Sequence, residues 1–401
     1  MRVLIVSQYF WPENFKINDV VNGLNDRGLE VSVLTGKPNY PSGKFFKNYS
    51  FFRNSHEIYN GIKIYRSPLL PRSNGSGFRL FLNYLSFAFF ASIRLIFINK
   101  KFDKILVYEP SPITVGIPAI VAKYRFNSPI YFWVQDLWPE SITDAGGIKN
   151  KKLIDLVNKL TIVIYKNCKK ILVQSKAFIP YILEQKVSKH KLIYFPNSTE
   201  NFYRPTNKNN IYKKLMPNGF KIIFAGNIGE AQSFETIINS ALYLKEKKIK
   251  INWIIIGDGR QKNNIKMKIK NLDLDNTFHF LGSYPTNQMP LFFSHADALL
   301  VTLKKSKIFS LTIPNKIQSY MACSKPIIAS LDGEGSRVIS DSNCGFASPS
   351  EDHISMSESI IKLMKLSKKE RETMGNNGRI YFEKEFEREK QLDKLIAILD
   401  E

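Results

Sequence analysis

Ten apolar runs, three to six residues long, recur along this chain with longer segments between them. The first five are Val3–Val6, Val31–Leu34, Ile105–Val107, Ile130–Val134 and Ile171–Val173. The second five are Ile222–Ala225, Ile251–Ile256, Phe278–Leu281, Ala298–Thr302 and Ile327–Ala329. Strand-like runs alternating with helix-length segments predict parallel sheets joined by right-handed crossovers. Two series predict two Rossmann-like domains of an α/β protein. A length of 401 residues is too great for one ordinary domain and comfortable for two. The polar, turn-rich stretch NSTENFYRPTNKNN sets the boundary near residues 200–217. The expected division is 1–203, 204–385, and a C-terminal helix over 386–401 that packs back toward the first domain. Open parallel sheets bind ligands beyond the carboxyl ends of their strands. Two such domains facing each other make a deep cleft, so the residues just after each strand are the candidates for chemistry.

One segment concentrates such features. In LTIPNKIQSYMACSKPIIAS, residues 311–330, Pro314 fixes the entry to a helix. Ile317, Tyr320 and Met321 recur at helical spacing, so one face packs inward. Ser324-Lys325-Pro326 ends the helix before a buried strand. Unpaired N–H groups gather at the helix start with Asn315, and Lys316 adds a full charge, a combination suited to a diphosphate. An ordinary surface lysine on a packed helix is the alternative.

Other strand ends in the second series carry turns of related chemistry. Gly226-Asn227-Ile228-Gly229 follows one run, and glycine there lets backbone approach a phosphate. Gly257-Asp258-Gly259-Arg260 follows the next and adds a guanidinium that can fork onto phosphate oxygens. Gly282-Ser283-Tyr284 and Gly333-Glu334 follow two more. Each reads equally as a plain turn when taken alone. Asp273-Leu274-Asp275 lies in an Asp/Asn-rich turn before a strand and reads as a chance DxD.

In the first series, the loop QYFWPENFKIND (8–19) offers Glu13, Asn14 and Lys16. The run Phe132–Val134 leads into Gln135-Asp136-Leu137-Trp138-Pro139-Glu140. A carboxylate at such a strand end is a candidate for holding acceptor hydroxyls or taking a proton. Asp136 is the first choice, Glu109 in YEPSP (108–112) the rival, and Glu13 a further candidate. The five histidines fall in none of these turns and read as structural. Residues 78–98 form the most apolar helix-length window, with fourteen uncharged residues from Leu80 to Ile93. That is short of the roughly 20 a membrane span needs. Arg79 and Arg94 suit an interfacial helix with snorkelling cations; the alternative is a helix buried against its sheet.

Bulk composition narrows the class. The net charge is +23, with 28 basic against 13 acidic residues in 1–200 and 30 against 22 in 201–401. Such a balance attracts polyanions, although richness in Lys, Asn and Ile throughout also fits an AT-rich coding sequence. Three widely spaced cysteines show neither a disulfide framework nor a zinc spacing. The chain opens on a strand-like run instead of a signal peptide. The expected location is cytoplasmic, on the inner face of the plasma membrane.

The motifs VLIVSQYFWPEN (3–14), RGLEVSVLTGKPNYPSGK (27–44), FWVQDLWPES (132–141), PNSTENFYRP (196–205), FAGNIGEAQ (224–232), IIIGDGRQKN (254–263) and the Lys316 helix together resemble GT-B glycosyltransferases of family 4. The likeness is greatest to bacterial amino-sugar (fucosamine-type) transferases of O-antigen, lipopolysaccharide and capsule assembly. It implies a GT-B fold, with two Rossmann-like domains facing a cleft. It implies retaining transfer of an N-acetylated amino sugar from a UDP-sugar to a polyprenyl-diphosphate-linked saccharide, without metal or other cofactor. It places Gly226, Asn227, Arg260, Pro314, Asn315 and Lys316 on the nucleotide sugar, Tyr284 on the base, and Gly333 and Glu334 on the ribose. Many members carry two glutamates where this chain has Leu311 and Ser319, which leaves ribose recognition open. Relatives often have a histidine near the position of Asp136. An anionic membrane surface is an expected partner and nucleic acid is not. A UDP-sugar 2-epimerase shares this fold, and a non-enzymatic basic membrane-binding protein is the third possibility. The apolar window argues against the epimerase, and the repeated strand-end turns argue against the binding protein.

Overall fold

Runs that are apolar on both faces become the central strands of two separate sheets. The computed structural model describes residues 1–73, 77–144 and 150–401. The chain divides into one unit of Met1–Pro196 with Glu389–Glu401, and a second of Asn197–Arg388.

The first unit holds β1 (Arg2–Val6), β2 (Glu30–Gly36), β3 (His56–Tyr59), β4 (Ile62–Ser67), β5 (Lys104–Glu109), β6 (Ile130–Val134), β7 (Cys168–Val173) and β8 (Leu192–Tyr194). Their order is β3-β4-β2-β1-β5-β6-β7-β8. Every pairing is parallel except the edge hairpin of β3 and β4. Val3, Leu4, Ile5 and Val6 are fully buried, as expected of a central strand with helices on both faces. The C-terminal helix Arg388–Asp400 adds Leu392, Leu395 and Leu399 to the core that contains Val3, Val31 and Trp133. Arg27 fastens it through Glu389 at 2.6 Å and Asp393 at 2.8 Å.

The second unit holds β9 (Lys221–Ala225), β10 (Asn252–Ile256), β11 (Phe278–Gly282), β12 (Ala298–Thr302), β13 (Ile327–Ser330) and β14 (Gly345–Ser348). They form an all-parallel sheet ordered β11-β10-β9-β12-β13-β14, with apolar clusters on its two faces. The order reverses at β1/β5 in the first sheet and at β9/β12 in the second. Such switch points open a crevice beyond the strand ends.

Two differences from the sequence expectation have physical causes. The division falls at 196/197, not at 203. The polar stretch beginning at Asn197 is anchored to the second unit, with the Thr199 hydroxyl 3.0 Å from that of Ser319 and the Tyr203 ring stacked near Phe293. Strand β4 also escapes a search for apolar runs, because IKIYRS interleaves charge with isoleucine. Its Arg66 is fully buried nonetheless, paired with Glu57 and donating to the Gly36 carbonyl at 3.1 Å.

The apolar window forms a helix over Gly77–Ile96. One face buries Asn83, Phe87, Ala88, Ala91 and Leu95. Asn83 is pinned by Gln8 at 2.7 Å and donates to the Leu70 carbonyl at 2.6 Å. The opposite face leaves Phe78 70% and Phe89 60% exposed. Among the described residues this is the one helix long and apolar enough to cross a bilayer by length and composition. Its other face packs within its own unit, pinned there through Asn83.

Candidate functional site

Glycine turns and the Lys316 helix meet beyond the carboxyl ends of β9 and β10. Pro314 caps the helix Asn315–Ala322, whose Ile317, Tyr320 and Met321 are buried. Lys316 is the second residue of this helix and turns inward. Its Nζ donates to Gln232 Oε1 at 2.6 Å and lies 3.7 Å from the centroid of the Phe224 ring. Burial pulls this ammonium down to about 7. A Cβ added to Gly226, whose φ is +140°, would meet Lys316 Cε at 2.7 Å. The lysine stem therefore runs directly beneath the turn after β9.

The two glycine turns, separate in sequence, form one backbone platform. Gly226 N donates to the Ile256 carbonyl at 2.9 Å, and Ile228 N to that of Asp258 at 2.8 Å. Gly257, also at φ +140°, could not accept a Cβ, which would stand 1.9 Å from the Gly226 carbonyl. Asn227 and Arg260 lie on the outside of this platform, and both are exposed.

Two other candidates have partners already. Glu334 opens the helix Glu334–Asp341 and is nearly buried. Arg337 forks onto it at 2.9 and 2.7 Å, so a ribose diol at Glu334 would share its oxygens with a guanidinium. Gly333, at φ +70°, sets up this start; a Cβ would approach the Ser310 carbonyl to 2.0 Å. The Tyr284 ring packs 4.5 Å from Phe292 as part of the core margin. Ser319, where many relatives of the resembling family have glutamate, accepts no charge and bonds to Thr199 and to the Asn315 carbonyl. Asp273 and Asp275 are exposed at the opposite, amino-terminal end of β11. Among the described residues no three His, Cys, Asp or Glu side chains cluster as metal ligands.

In the first unit, Asp136 and Glu109 are rivals in sequence and neighbours in space. Glu109 ends β5 and is wholly buried. Its Oε1 accepts from Trp138 Nε1 at 2.9 Å, and its main-chain carbonyl takes the Gln135 N–H at 3.1 Å. Burial first, then the nearby Asp136, push this carboxyl well above the usual range. Burial also raises Asp136, to about 7. Glu109 thus holds the loop that presents Asp136. Glu13 is buried too, and its Oε1 accepts the amides of Asn39 at 2.8 Å and Tyr40 at 2.7 Å. It braces the loop after β2 to the loop after β1, and burial raises it to about 7. Lys16 opens the helix Lys16–Asp26. His56 lies beside Arg94, His279 beside Asn252 and His295 beside Asn209, none of them at these strand ends.

Sequence reasoning missed Gln232 and Phe224 as the groups that receive Lys316. Both stand in FAGNIGEAQ, but no residue pattern marks their side chains as converging on a helix some 90 residues later.

Residues 207–381 match the family model of the group 1 glycosyl transferases. The chain is 24% identical over 287 residues to a probable glycosyltransferase, WbjE, of Pseudomonas aeruginosa, covering 70% of each protein. It is 25% identical over 337 residues to a putative colanic acid biosynthesis glycosyl transferase, WcaI, of Escherichia coli K12, covering 80% of this chain and 81% of that one. Among solved structures it resembles Anabaena HepE in complex with UDP, at a TM-score of 0.69 and 12% identity, over 99% of this chain and 98% of that one. It also resembles WaaG, a glycosyltransferase involved in lipopolysaccharide biosynthesis, at a TM-score of 0.67 and 12% identity, over 100% and 99%. The fold is GT-B.

Proposed function

We propose that this chain, whose second unit matches the group 1 glycosyl transferases, is a retaining glycosyltransferase of surface-polysaccharide assembly. The donor is a UDP-linked N-acetylated amino sugar such as N-acetyl-fucosamine. The acceptor is a polyprenyl-diphosphate-linked saccharide. The observation that carries the reading is Lys316, buried and threaded beneath the Gly226 turn beside a helix start. Few ligands besides a nucleotide diphosphate reward such a placement, because the bare lysine is held against its own solvation. HepE in complex with UDP, and the glycosyltransferase descriptions of WbjE and WcaI, support the same class.

Breaking the sugar–phosphate bond leaves negative charge on the departing diphosphate. The backbone amides of the Gly226 platform, the start of the Asn315–Ala322 helix and Lys316 stabilise that charge as it develops. This arrangement calls for no metal. Asp136, presented by Glu109, orients the acceptor hydroxyl and takes its proton. Retention of anomeric configuration is proposed from the family resemblance. The basic first half and the exposed face of the Gly77–Ile96 helix support work on the inner face of the plasma membrane, where such an acceptor resides.

The test is to incubate the purified protein with a panel of UDP-sugars and a synthetic lipid-diphosphate acceptor, with and without EDTA, and to read product mass. Transfer from one UDP-sugar in excess EDTA is the expected result. Release of an epimerised sugar without acceptor would favour the 2-epimerase. Complete loss with chelator, restored by Mg²⁺, would reject the metal-free mechanism.

A further inference from the structure

At the carboxyl ends of β4, β2 and β1 lies a cation for which the reaction above has no role. Arg72 follows β4, and its guanidinium stands 5.2 Å from the ring centre of Tyr40, 5.6 Å from Tyr9 and 6.0 Å from Tyr84. Its Nη2 donates to the Tyr84 hydroxyl at 3.2 Å, and its backbone N–H to Asn39 Oδ1 at 3.3 Å. No carboxylate pairs with it among the described residues. The acid of this cluster, Glu13, spends its Oε1 on the amides of Asn39 and Tyr40. Aromatic faces fix the guanidinium plane without neutralising it, and a planar fork held this way matches phosphate oxygens.

Tyr84 belongs to the Gly77–Ile96 helix, so the guanidinium is tied to the first half of that helix. From the same end runs a stripe of exposed side chains: Phe78, Phe81, Leu85, Phe89, Ile93 and Ile96. Their spacing of three and four residues keeps them on one side over about 27 Å, at 1.5 Å per residue. The exposed Arg79 adds a second positive charge at the Arg72 end. A cation at one end of a long apolar stripe is complementary to a molecule with an anionic head and a hydrocarbon tail.

We propose that Arg72, framed by Tyr9, Tyr40 and Tyr84, is the subsite for the diphosphate of a prenyl-linked acceptor, whose hydrocarbon lies along the exposed face of the Gly77–Ile96 helix. The choice of a lipid-linked acceptor rests on the function proposed above; the anion subsite itself does not. Arg72 holds the acceptor, leaving Asp136 to act on the hydroxyl of its sugar.

Binding measured without turnover tests this. Geranylgeranyl diphosphate, inorganic pyrophosphate and UDP are titrated separately into the full chain by calorimetry. Geranylgeranyl diphosphate is expected to bind the wild type at least tenfold more tightly than pyrophosphate. Arg72→Met, which keeps the alkyl stem and drops the charge, should weaken it at least tenfold, and Arg72→Lys by less. UDP affinity should be unchanged in Arg72→Met and reduced in Lys316→Met. Equal lipid affinity in wild type and Arg72→Met would overturn the subsite. Equal losses in the Lys and Met variants with a lowered Tm would make Arg72 a packing staple. Pyrophosphate binding as tightly as the lipid would remove the lipid assignment. Failure of UDP to bind the wild type would instead defeat the nucleotide-sugar reading and leave the Arg72 result standing.

Discussion

In the second unit the groups at the strand ends are a buried lysine and bare glycine backbone; in the first they are buried carboxyls braced by tryptophan and by loop amides. Both sets pay for burial with displaced protonation, in opposite directions along the charge scale. Burial drives Lys316 toward a neutral amine, and it drives Glu109, Asp136 and Glu13 toward neutral acids. A neutral amine regains its proton when an anion arrives. A carboxyl raised to about 7 stands ready to exchange one near neutral pH. On the proposed function, the contrast teaches that one unit is prepared to receive negative charge, the other for a proton that moves.

The largest expected effect breaks the cationic side. Lys316→Met should lower UDP affinity and transfer at least tenfold, since a charge-assisted hydrogen bond is worth roughly 1.5–3 kcal/mol. Its Tm should hold or rise, because a disfavoured buried amine is gone. Near-normal transfer in the folded variant removes Lys316 from the site. Next comes the platform. Gly257→Ala forces a Cβ against the Gly226 carbonyl and strains a φ of +140°, so it should destabilise by about 1–3 kcal/mol in denaturant melts. An unchanged midpoint would show that the two turns part freely.

On the carboxyl side, Asp136→Asn should keep UDP affinity and lose most turnover, measured as kcat against donor KM. Glu109→Gln should retain the Trp138 bond and the fold, and it should leave the pH at which turnover rises unchanged, because burial is what raises Asp136. A pH profile shifted from wild type would show that the two carboxyls titrate together.

The smallest effect sharpens the comparison directly. Above pH 7 the free Lys316 is mostly neutral, and a bound diphosphate favours the ammonium. UDP binding at pH 8 should therefore take up as much as one proton, seen as a dependence of calorimetric heat on buffer ionisation enthalpy. In the free protein, the unfolded chain binds this proton between pH 7 and the ordinary lysine range near 10.4. Stability should then rise with pH across that window, and Lys316→Met should flatten the slope. For Asp136 the sign reverses: the folded chain keeps the proton between about pH 4 and 7, so its contribution falls as pH rises.

Much of the second unit was legible in sequence. Strands buried on both faces announce themselves as unbroken apolar runs, and glycines at their ends mark where a side chain cannot fit. The helix at Lys316 showed both its cap and its inward face. What was not legible involved partners far apart in the chain. Gln232 meets Lys316 across 84 residues. Glu109 and Asp136 looked like alternatives, because strand order, which puts β5 beside β6, is invisible until crossovers are known. Arg72 was passed over altogether, since nothing local distinguishes an arginine stacked among tyrosines from one in solvent.

The return of residues 389–401 to the first unit has a consequence for synthesis. On the ribosome the chain emerges from its first residue onward, and the first unit lacks Leu392, Leu395 and Leu399 of its core until the end. At roughly 5–20 residues per second, emergence of the intervening segment 197–388 takes on the order of 10–40 s. That segment is continuous and has all its own strands, so it can fold while the earlier-made sheet still waits with one flank of apolar surface uncovered. The part of the protein made first is the part completed last, and the exposure of its core to chaperones and proteases is set by translation speed.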